Sequence, residues 1–207
     1  MAPIYLGGTE VSAVYKGSTD VSQAYLGDSA LLSSFVQGGL GILEYTGDRP
    51  TNAPKTGMGL TPDLIWAKDL DANDHWSILD SSRGANVLSI NNTSAQASFS
   101  PFSFDTDGFT VGSSGQMNSN GNDLVAYGWS ANNGTLTNGS GTGVTNVKYQ
   151  ANTSKGFSIV TYTGTVTGNN KTFTHGLNSA PEYVIIKDYS WSVPSWFTWH
   201  TGLSGGD

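Results

Sequence analysis

Gly39-Leu-Gly-Ile-Leu-Glu-Tyr-Thr-Gly47 and Gly156-Phe-Ser-Ile-Val-Thr-Tyr-Thr-Gly164 are two versions of one alternating segment, each ending at a glycine. Alternation with period two predicts a strand, and the terminal glycine predicts a turn. The correspondence continues beyond the strand. Gly59-Leu60, Pro62-Asp63-Leu64-Ile65 and Lys68-Asp69 are matched by Gly176-Leu177, Pro181-Glu182-Tyr183-Val184 and Lys187-Asp188, and Trp76 by Trp196. The spacing between partners stays between 117 and 120 positions from Gly39/Gly156 to Trp76/Trp196. Ordered matches at nearly constant spacing indicate a tandem duplication.

The first copy runs on through Trp76-Ser-Ile-Leu-Asp80-Ser-Ser-Arg83-Gly84 and Asp105-Thr-Asp107-Gly108-Phe109-Thr-Val-Gly112 to a closing strand, Leu124-Val-Ala-Tyr-Gly-Trp129. The second copy reaches only the equivalent of Arg83, so it is expected to be truncated. Half a sandwich cannot bury its own apolar strands, and it must pack on the first copy, on neighbouring chains or on further sequence. Between the copies, Asn132-Asn-Gly-Thr-Leu-Thr-Asn-Gly-Ser-Gly-Thr-Gly143 reads as a flexible linker or extended loop.

A shorter repeat precedes the duplication. Ile4-to-Ala13, Val14-to-Gln23 and Ala24-to-Ser33 stack as decapeptides, with Tyr5, Tyr15 and Tyr25 in register and Gly7, Gly17 and Gly27 two positions on. Gly7-Gly8, Gly17-Ser18 and Gly27-Asp28 suit two-residue hairpin turns, so the segment reads as a β-meander. An even period with such turns would place equivalent residues on alternate faces; odd-length turns or an inter-chain arrangement stay open. Residues 1–34 are read as an assembly or docking segment, with Tyr5, Leu6, Val11, Tyr15, Val21, Tyr25 and Leu26 as its contact residues. The plainer alternative is a β-extension of the next domain.

Composition points the same way. The chain has 207 residues, 27 of them glycine, and only 12% charged residues, which favours short strands and tight turns over helices. A net charge of −7 offers no basic stripe for nucleic acid or anionic membranes. There is no cysteine, which excludes a disulfide framework and a thiol nucleophile. No apolar run approaches the roughly 20 residues that span a bilayer, and Met1-Ala-Pro-Ile-Tyr-Leu lacks the pattern of a secretory leader.

Together, the Gly-Phe-Ser-Ile-Val-Thr-Tyr-Thr-Gly strand, His175-Gly-Leu, Pro181-Glu-Tyr-Val-Ile-Ile-Lys187, the Trp76-to-Gly84 segment, Asp107-Gly-Phe-Thr-Val-Gly112 and the Leu124-to-Trp129 strand resemble a domain found, often in tandem, in bacteriophage tail fibres and other virion proteins. The decapeptides also look like N-terminal repeats of phage tail proteins. The resemblance covers most of the chain. It implies an all-β protein: a lectin-like (laminin-G- or concanavalin-like) β-sandwich at 35–131, after the repeat segment 1–34, with a linker at 132–155 and a partial second sandwich at 156–207. It further implies the N-terminal part of a tail fibre: a homotrimeric structural protein of the virion that docks on a tail or adaptor protein and carries adhesive modules for host attachment. No catalytic residue set travels with the resemblance, so no enzyme activity and no cofactor are expected.

Several residues have the chemistry of a site without its pattern. His75, His175 and His200 lack the spacing of a zinc site. Asp80-Ser-Ser-Arg83 lacks the base and orienting group of an activated serine, and Asp80 is expected to pair with Arg83 or cap a turn. Asp105-Thr-Asp107-Gly108 looks like a calcium loop but lacks the later glutamate and stands where a hairpin needs Asp-Gly. No metal site is expected. Trp191, Trp196 and Trp199, near Asn178 and Asp188, would suit a glycan platform, whereas Trp66, Trp76 and Trp129 are expected in a sandwich core. Two alternatives to the fibre reading remain: a stand-alone glycan-binding module, and a polysaccharide depolymerase, which would need a paired-carboxylate cleft.

Overall fold

The computed structural model describes residues 39–49, 52–113, 115–165, 170–192 and 195–203, preceded by six two-residue strands between residues 5 and 30. The chain divides into two compact units, Met1–Gly38 and Gly39–Asp207.

In the first unit β1 (Tyr5–Leu6) pairs with β2 (Thr9–Glu10), β3 (Tyr15–Lys16) with β4 (Thr19–Asp20), and β5 (Tyr25–Leu26) with β6 (Ser29–Ala30), all antiparallel. Leu6 faces Thr9, Lys16 faces Thr19 and Leu26 faces Ser29, which leaves two residues between partners at each expected glycine turn. The expected meander is corrected in one respect. Among the described residues each repeat forms its own two-stranded sheet, and no pairing runs from one repeat to the next. Pairing within the repeat gives equivalent residues equivalent places, which a meander of even period would not. Val11 and Val21 lie outside the described residues, and for Tyr5, Leu6, Tyr15, Tyr25 and Leu26 only the strand pairing is described.

The second unit opens with β7 (Leu40–Thr46), β8 (Ala53–Thr56), β9 (Leu64–Asp69), β10 (Ser77–Asp80), β11 (Asn86–Ser89), β12 (Ala97–Ser98), β13 (Phe102–Asp105) and β14 (Gly108–Val111), then a single helical turn α1 (Gly115–Asn118) and β15 (Asp123–Trp129). Six of these strands form one antiparallel sheet in the order β12-β11-β10-β9-β15-β7, and three form another, β13-β14-β8. The sheets enclose a core of Met58, Ile65, Ala67, Leu79, Val87, Phe109, Val111, Met117 and Ala126. The first copy is therefore a β-sandwich, its inner faces supplied by alternate residues of each strand.

That alternation corrects the placement of the tryptophans. Ile65 and Ala67 of β9 are fully buried in the core, so Trp66 between them turns to the opposite face. There Trp66 meets Trp76 at 6.1 Å and Trp129 at 6.2 Å between ring centroids, and Trp129 stacks on Phe157 at 6.4 Å. The three rings are half-buried on the outer face of the large sheet rather than in its core.

The rest of the unit comprises β16 (Thr137–Asn138), β17 (Gly141–Thr142), β18 (Val144–Asn152), β19 (Phe157–Gly164), β20 (Thr172–Phe173), β21 (Tyr183–Ile186) and β22 (Phe197–His200). They pair as β16-β18-β19, β17-β20 and β21-β22. The linker expected over 132–155 is thus corrected: it contains β18, nine residues long and paired along β19. A register shift between Thr145 and Lys148 breaks the alternation, with Asn146 at a φ of 53°, so that Val144, Val147 and Gln150 are buried at a spacing of three. That spacing conceals a strand from a period-two search.

The second copy repeats the first at the level of backbone pairing. In β9–β10, Leu64 faces Asp80, Ile65 faces Leu79, Trp66 faces Ile78 and Ala67 faces Ser77. In β21–β22 the counterparts keep that register: Tyr183 faces His200, Val184 faces Trp199, Ile185 faces Thr198 and Ile186 faces Phe197. Beyond the strand ends, Ser81 N–H donates to Asp63 O at 2.8 Å and Thr201 N–H to Glu182 O at 2.9 Å.

Phe109 is fully buried, edge-on to Tyr45 at 5.8 Å and stacked on Phe102 at 5.9 Å. Phe109→Ala removes the largest side chain of the core, and urea unfolding is expected to show a loss of about 3–5 kcal/mol.

Candidate functional site

The second half is held to the first by a buried polar cluster. Asp63 is 1% exposed, and its carboxylate accepts N–H groups from Ala131 at 2.7 Å, Asn133 at 2.9 Å and Gly134 at 2.6 Å, with the Ser81 hydroxyl at 2.7 Å. Gln150 of β18, fully buried, donates from Nε2 to the hydroxyls of Ser81 at 2.7 Å and Ser82 at 2.8 Å and accepts Gly134 N–H at 3.2 Å. A buried carboxylate with four donors is fully satisfied, so this cluster is an anchor rather than a reactive centre.

Beside it opens a cleft of about 300 Å³, lined among others by Arg83, Lys148, Thr161, Tyr162, Thr163 and Tyr189. The expected pairing of Arg83 is present: Nε donates to Asp80 at 2.5 Å and the backbone N–H of Arg83 donates to the same carboxylate at 3.0 Å. Arg83 Nη1 continues to Gln96 Oε1 at 3.1 Å, and Gln96 N–H donates to Tyr189 O at 2.8 Å, which ties the first copy to the residues after β21. The cleft combines two cationic side chains, hydroxyls and aromatic rings, a lining that suits hydroxylated or anionic ligands. Sequence reasoning did not assemble it, because its walls come from segments far apart in the chain.

The three tryptophans singled out for glycan contact do not form one platform. Trp196 is half-buried, and its Nε1 donates to Ser89 O at 3.1 Å, fastening the residue before β22 to the end of β11. Trp191 and Trp199 are 61% and 48% exposed. Trp199 pairs with Val184 and takes the place that Leu79 holds in the first copy, where the side chain points into the core.

The turn after each of β9 and β21 is built in the same way. Asp69 Oδ1 accepts the N–H groups of Asp71 at 3.0 Å and Ala72 at 3.1 Å, while Asp188 Oδ1 accepts Ser190 N–H at 2.9 Å. Lys68 Nζ donates to Asp69 O and to Ala72 O, and Lys187 Nζ to Asp188 O and Trp191 O. Burial pushes the Tyr45 phenol up, with the Asp69 carboxylate adding to it; Tyr162 is raised by burial and by Asp188 in the same order.

The residues with the look of a calcium loop are engaged otherwise. Asp107 accepts Gly57 N–H at 3.0 Å and Gly59 N–H at 2.7 Å, and Asp105 accepts the hydroxyls of Ser103 at 3.0 Å and Thr110 at 2.6 Å. His175 and His200 each accept a nearby backbone N–H at Nδ1, from Leu177 at 3.2 Å and Gly202 at 2.9 Å. Among the described residues no group of three or more His, Asp or Glu side chains is placed to hold a metal, and no helix is long and apolar enough to cross a membrane.

Residues 40–207 match the model of a family described as a domain of unknown function, DUF7483. No curated protein and no solved structure matches the chain.

Asp69 generates a prediction about acid stability. Burial works to raise its carboxyl, but hydrogen bonds from Asn122, Ser119 and the N–H groups of Asp71 and Ala72 outweigh it and hold the group below its ordinary value. A carboxylate depressed in the folded state contributes stability above its unfolded pKa of about 3.9 and loses that contribution as pH falls through the folded value. Asn122, which donates to both Asp69 oxygens at 3.1 and 3.0 Å, can be removed to test this. Asn122→Ala is expected to cost about 1–3 kcal/mol at pH 7 in urea melts, and the gap to the parent chain to narrow below about pH 4. A gap independent of pH would contradict the assignment.

Proposed function

The chain belongs to the DUF7483 family, and we propose, on the ground of its repeat unit and of the sequence blocks that resemble virion domains, that it is a structural protein of a bacteriophage virion, the N-terminal part of a tail fibre located in the tail appendage. The repeat unit docks on a tail or adaptor protein, and the sandwich modules, lectin-like in this reading, face outward for host attachment. The supporting observation is the first unit. It repeats one hairpin three times in one register, with Tyr5, Tyr15 and Tyr25 opposite Glu10, Asp20 and Ala30. A lone two-stranded hairpin is marginal in water, and unpaired edges are completed most readily by other chains. Repeated hairpins therefore favour an inter-chain assembly, and a homotrimer of parallel chains meets that need with one operator.

The alternative of a stand-alone glycan-binding module draws support from the cleft of Arg83, Lys148, Tyr162 and Tyr189, whose cations and rings suit an acidic sugar. The fibre reading is preferred because it also accounts for the repeat unit.

Light scattering separates the two. The full chain is expected to be trimeric and the chain lacking residues 1–34 monomeric, both with the same cooperative melting of the sandwich. A monomer in both cases would overturn self-assembly through the repeats.

A further inference from the structure

The cleft beside the Asp63 anchor runs against the charge of the chain. Acidic residues outnumber basic ones by 16 to 9, yet two cations, Arg83 and Lys148, line the cleft and no carboxylate does. The acids close to its walls are already engaged. Asp80 accepts Arg83 Nε at 2.5 Å and the Arg83 N–H at 3.0 Å. Asp188, whose charge reaches Tyr162, accepts Ser190 N–H at 2.9 Å and the Ser190 hydroxyl at 2.7 Å.

Both cations have donor capacity left over. The Arg83 side chain is 7% exposed; its Nε goes to Asp80 and its Nη1 to Gln96 Oε1 at 3.1 Å, while Nη2 is buried with no acceptor among the described residues. A buried donor without an acceptor costs about 1–3 kcal/mol, which a ligand oxygen would recover. Lys148 is exposed, and the ion pairs among the described residues are Lys55–Asp48 and Arg83–Asp80, so its ammonium is unpaired. With Asp80 set against Arg83, the cleft keeps a surplus of one positive charge. That surplus matches a singly charged anion, since a dianion would leave one charge uncompensated.

The fold fixes these groups from both sides. Lys148 lies two residues before Gln150 on β18; Gln150 is locked by Ser81 and Ser82, and Lys148 pairs with Thr161 of β19. Asn146 stands in the register shift at a φ of 53°, and its Nδ2 donates to Thr163 Oγ1 at 3.3 Å. Such irregularities re-aim side chains next to sites. The Tyr162 ring is held by stacking on Phe173 at 4.7 Å, and Gln96 N–H donates to Tyr189 O at 2.8 Å. The charged groups sit on strands paired along both edges: Arg83 follows β10, which lies between β9 and β11, and Lys148 belongs to β18, which lies between β16 and β19.

We propose that the cleft is a binding site for a sugar residue that carries one carboxylate, a hexuronic acid, with Lys148 and Arg83 receiving the carboxylate. Charge-assisted hydrogen bonds to that group supply the attraction. The neutral hydroxyl and amide side chains of Ser82, Gln96, Asn146 and Thr161 line the same space and suit the ring hydroxyls, which a simple inorganic anion would leave unused. A volume of about 300 Å³ is at the small end for ligand sites and suits one sugar residue rather than a long stretch of chain. The site gives a ligand to the adhesive module that the fibre and stand-alone readings share, and it rests on that reading; assembly through the repeat unit does not enter it.

The test titrates the full chain by NMR with D-galacturonate, D-glucuronate and D-mannuronate, each beside its neutral hexose. At least one uronate is expected to bind saturably, with shifts at the Lys148 and Thr161 amides and the Arg83 guanidinium, and its hexose to bind at least about tenfold more weakly. Lys148→Ala, which changes an exposed side chain, is expected to lose at least about tenfold in affinity with an unaltered melting curve, and Lys148→Arg to stay within about threefold of the parent chain. Failure of all three uronates to saturate would overturn the proposal. Acetate binding as tightly as the uronate would also overturn it by reducing the cleft to an anion site, and a hexose 6-phosphate binding more tightly would do so by assigning a phosphate. Hexoses binding as well as uronates would overturn the acidic ligand while leaving the adhesive reading in place, and trimer formation is decided separately by light scattering.

Discussion

Asp123–Trp129 is hydrogen-bonded along both edges, to Leu40–Thr46 on one side and to Leu64–Asp69 on the other. Because it is shared, its side chains cannot be chosen for one neighbour alone. Ala126 and Gly128 must let the opposite sheet approach, and a side chain at Gly128 would meet Met58. Met58 takes the room beside Gly128, and Phe109 and Met117, both fully buried, join Met58 and Ala126 in the core that the three-stranded sheet and the helical turn share with the large sheet. The tryptophans of the first copy and Tyr127 lie on the other face. There Trp66, Trp76, Tyr127 and Trp129 form a half-buried tier against which Phe157 of the second copy packs.

The same dependence explains why the two copies differ in burial while agreeing in geometry. Register, turn carboxylates and lysine-capped carbonyls are reproduced, since these are local consequences of matched sequence blocks. Burial is not local. Tyr183 is 55% and Phe197 64% exposed because the strand and sheet that cover their counterparts have no equivalent among the described residues. The second copy instead gains its fixed position from contacts with the first, through Trp196 with Ser89 and Tyr189 with Gln96, while β18, paired along β19, is held through Gln150 with Ser81 and Ser82.

Much of the fold was legible in the sequence where a signal is local. The paired Gly39 and Gly156 segments marked β7 and β19, the Asp-Gly of residues 107–108 marked a hairpin between β13 and β14, and the Asp80–Arg83 pair formed as expected. Less was legible where tertiary context decides. β18 was concealed by its register shift and by the polar residues Thr145, Asn146 and Lys148 on its exposed side. Trp66, Trp76 and Trp129 have the composition of a core, but the alternation set by Ile65, Ala67 and Ala126 turns them outward. The walls of the cleft come from residues 82–96, 136–148, 161–163 and 189, and no local pattern links those segments.

The central claim is that the second copy keeps the strand register of the first while, among the described residues, one edge of each of β19 and β21 is left unpaired. Native-state amide exchange measured by NMR tests it most directly, because it reads each edge residue by residue. The account predicts that Trp66 and Val184 exchange only through large-scale opening, whereas Tyr183 and Ile185 exchange at least about a hundredfold faster than Trp66. Protection at Ile185 equal to that at Trp66 would mean that the edge is already paired, and would contradict it.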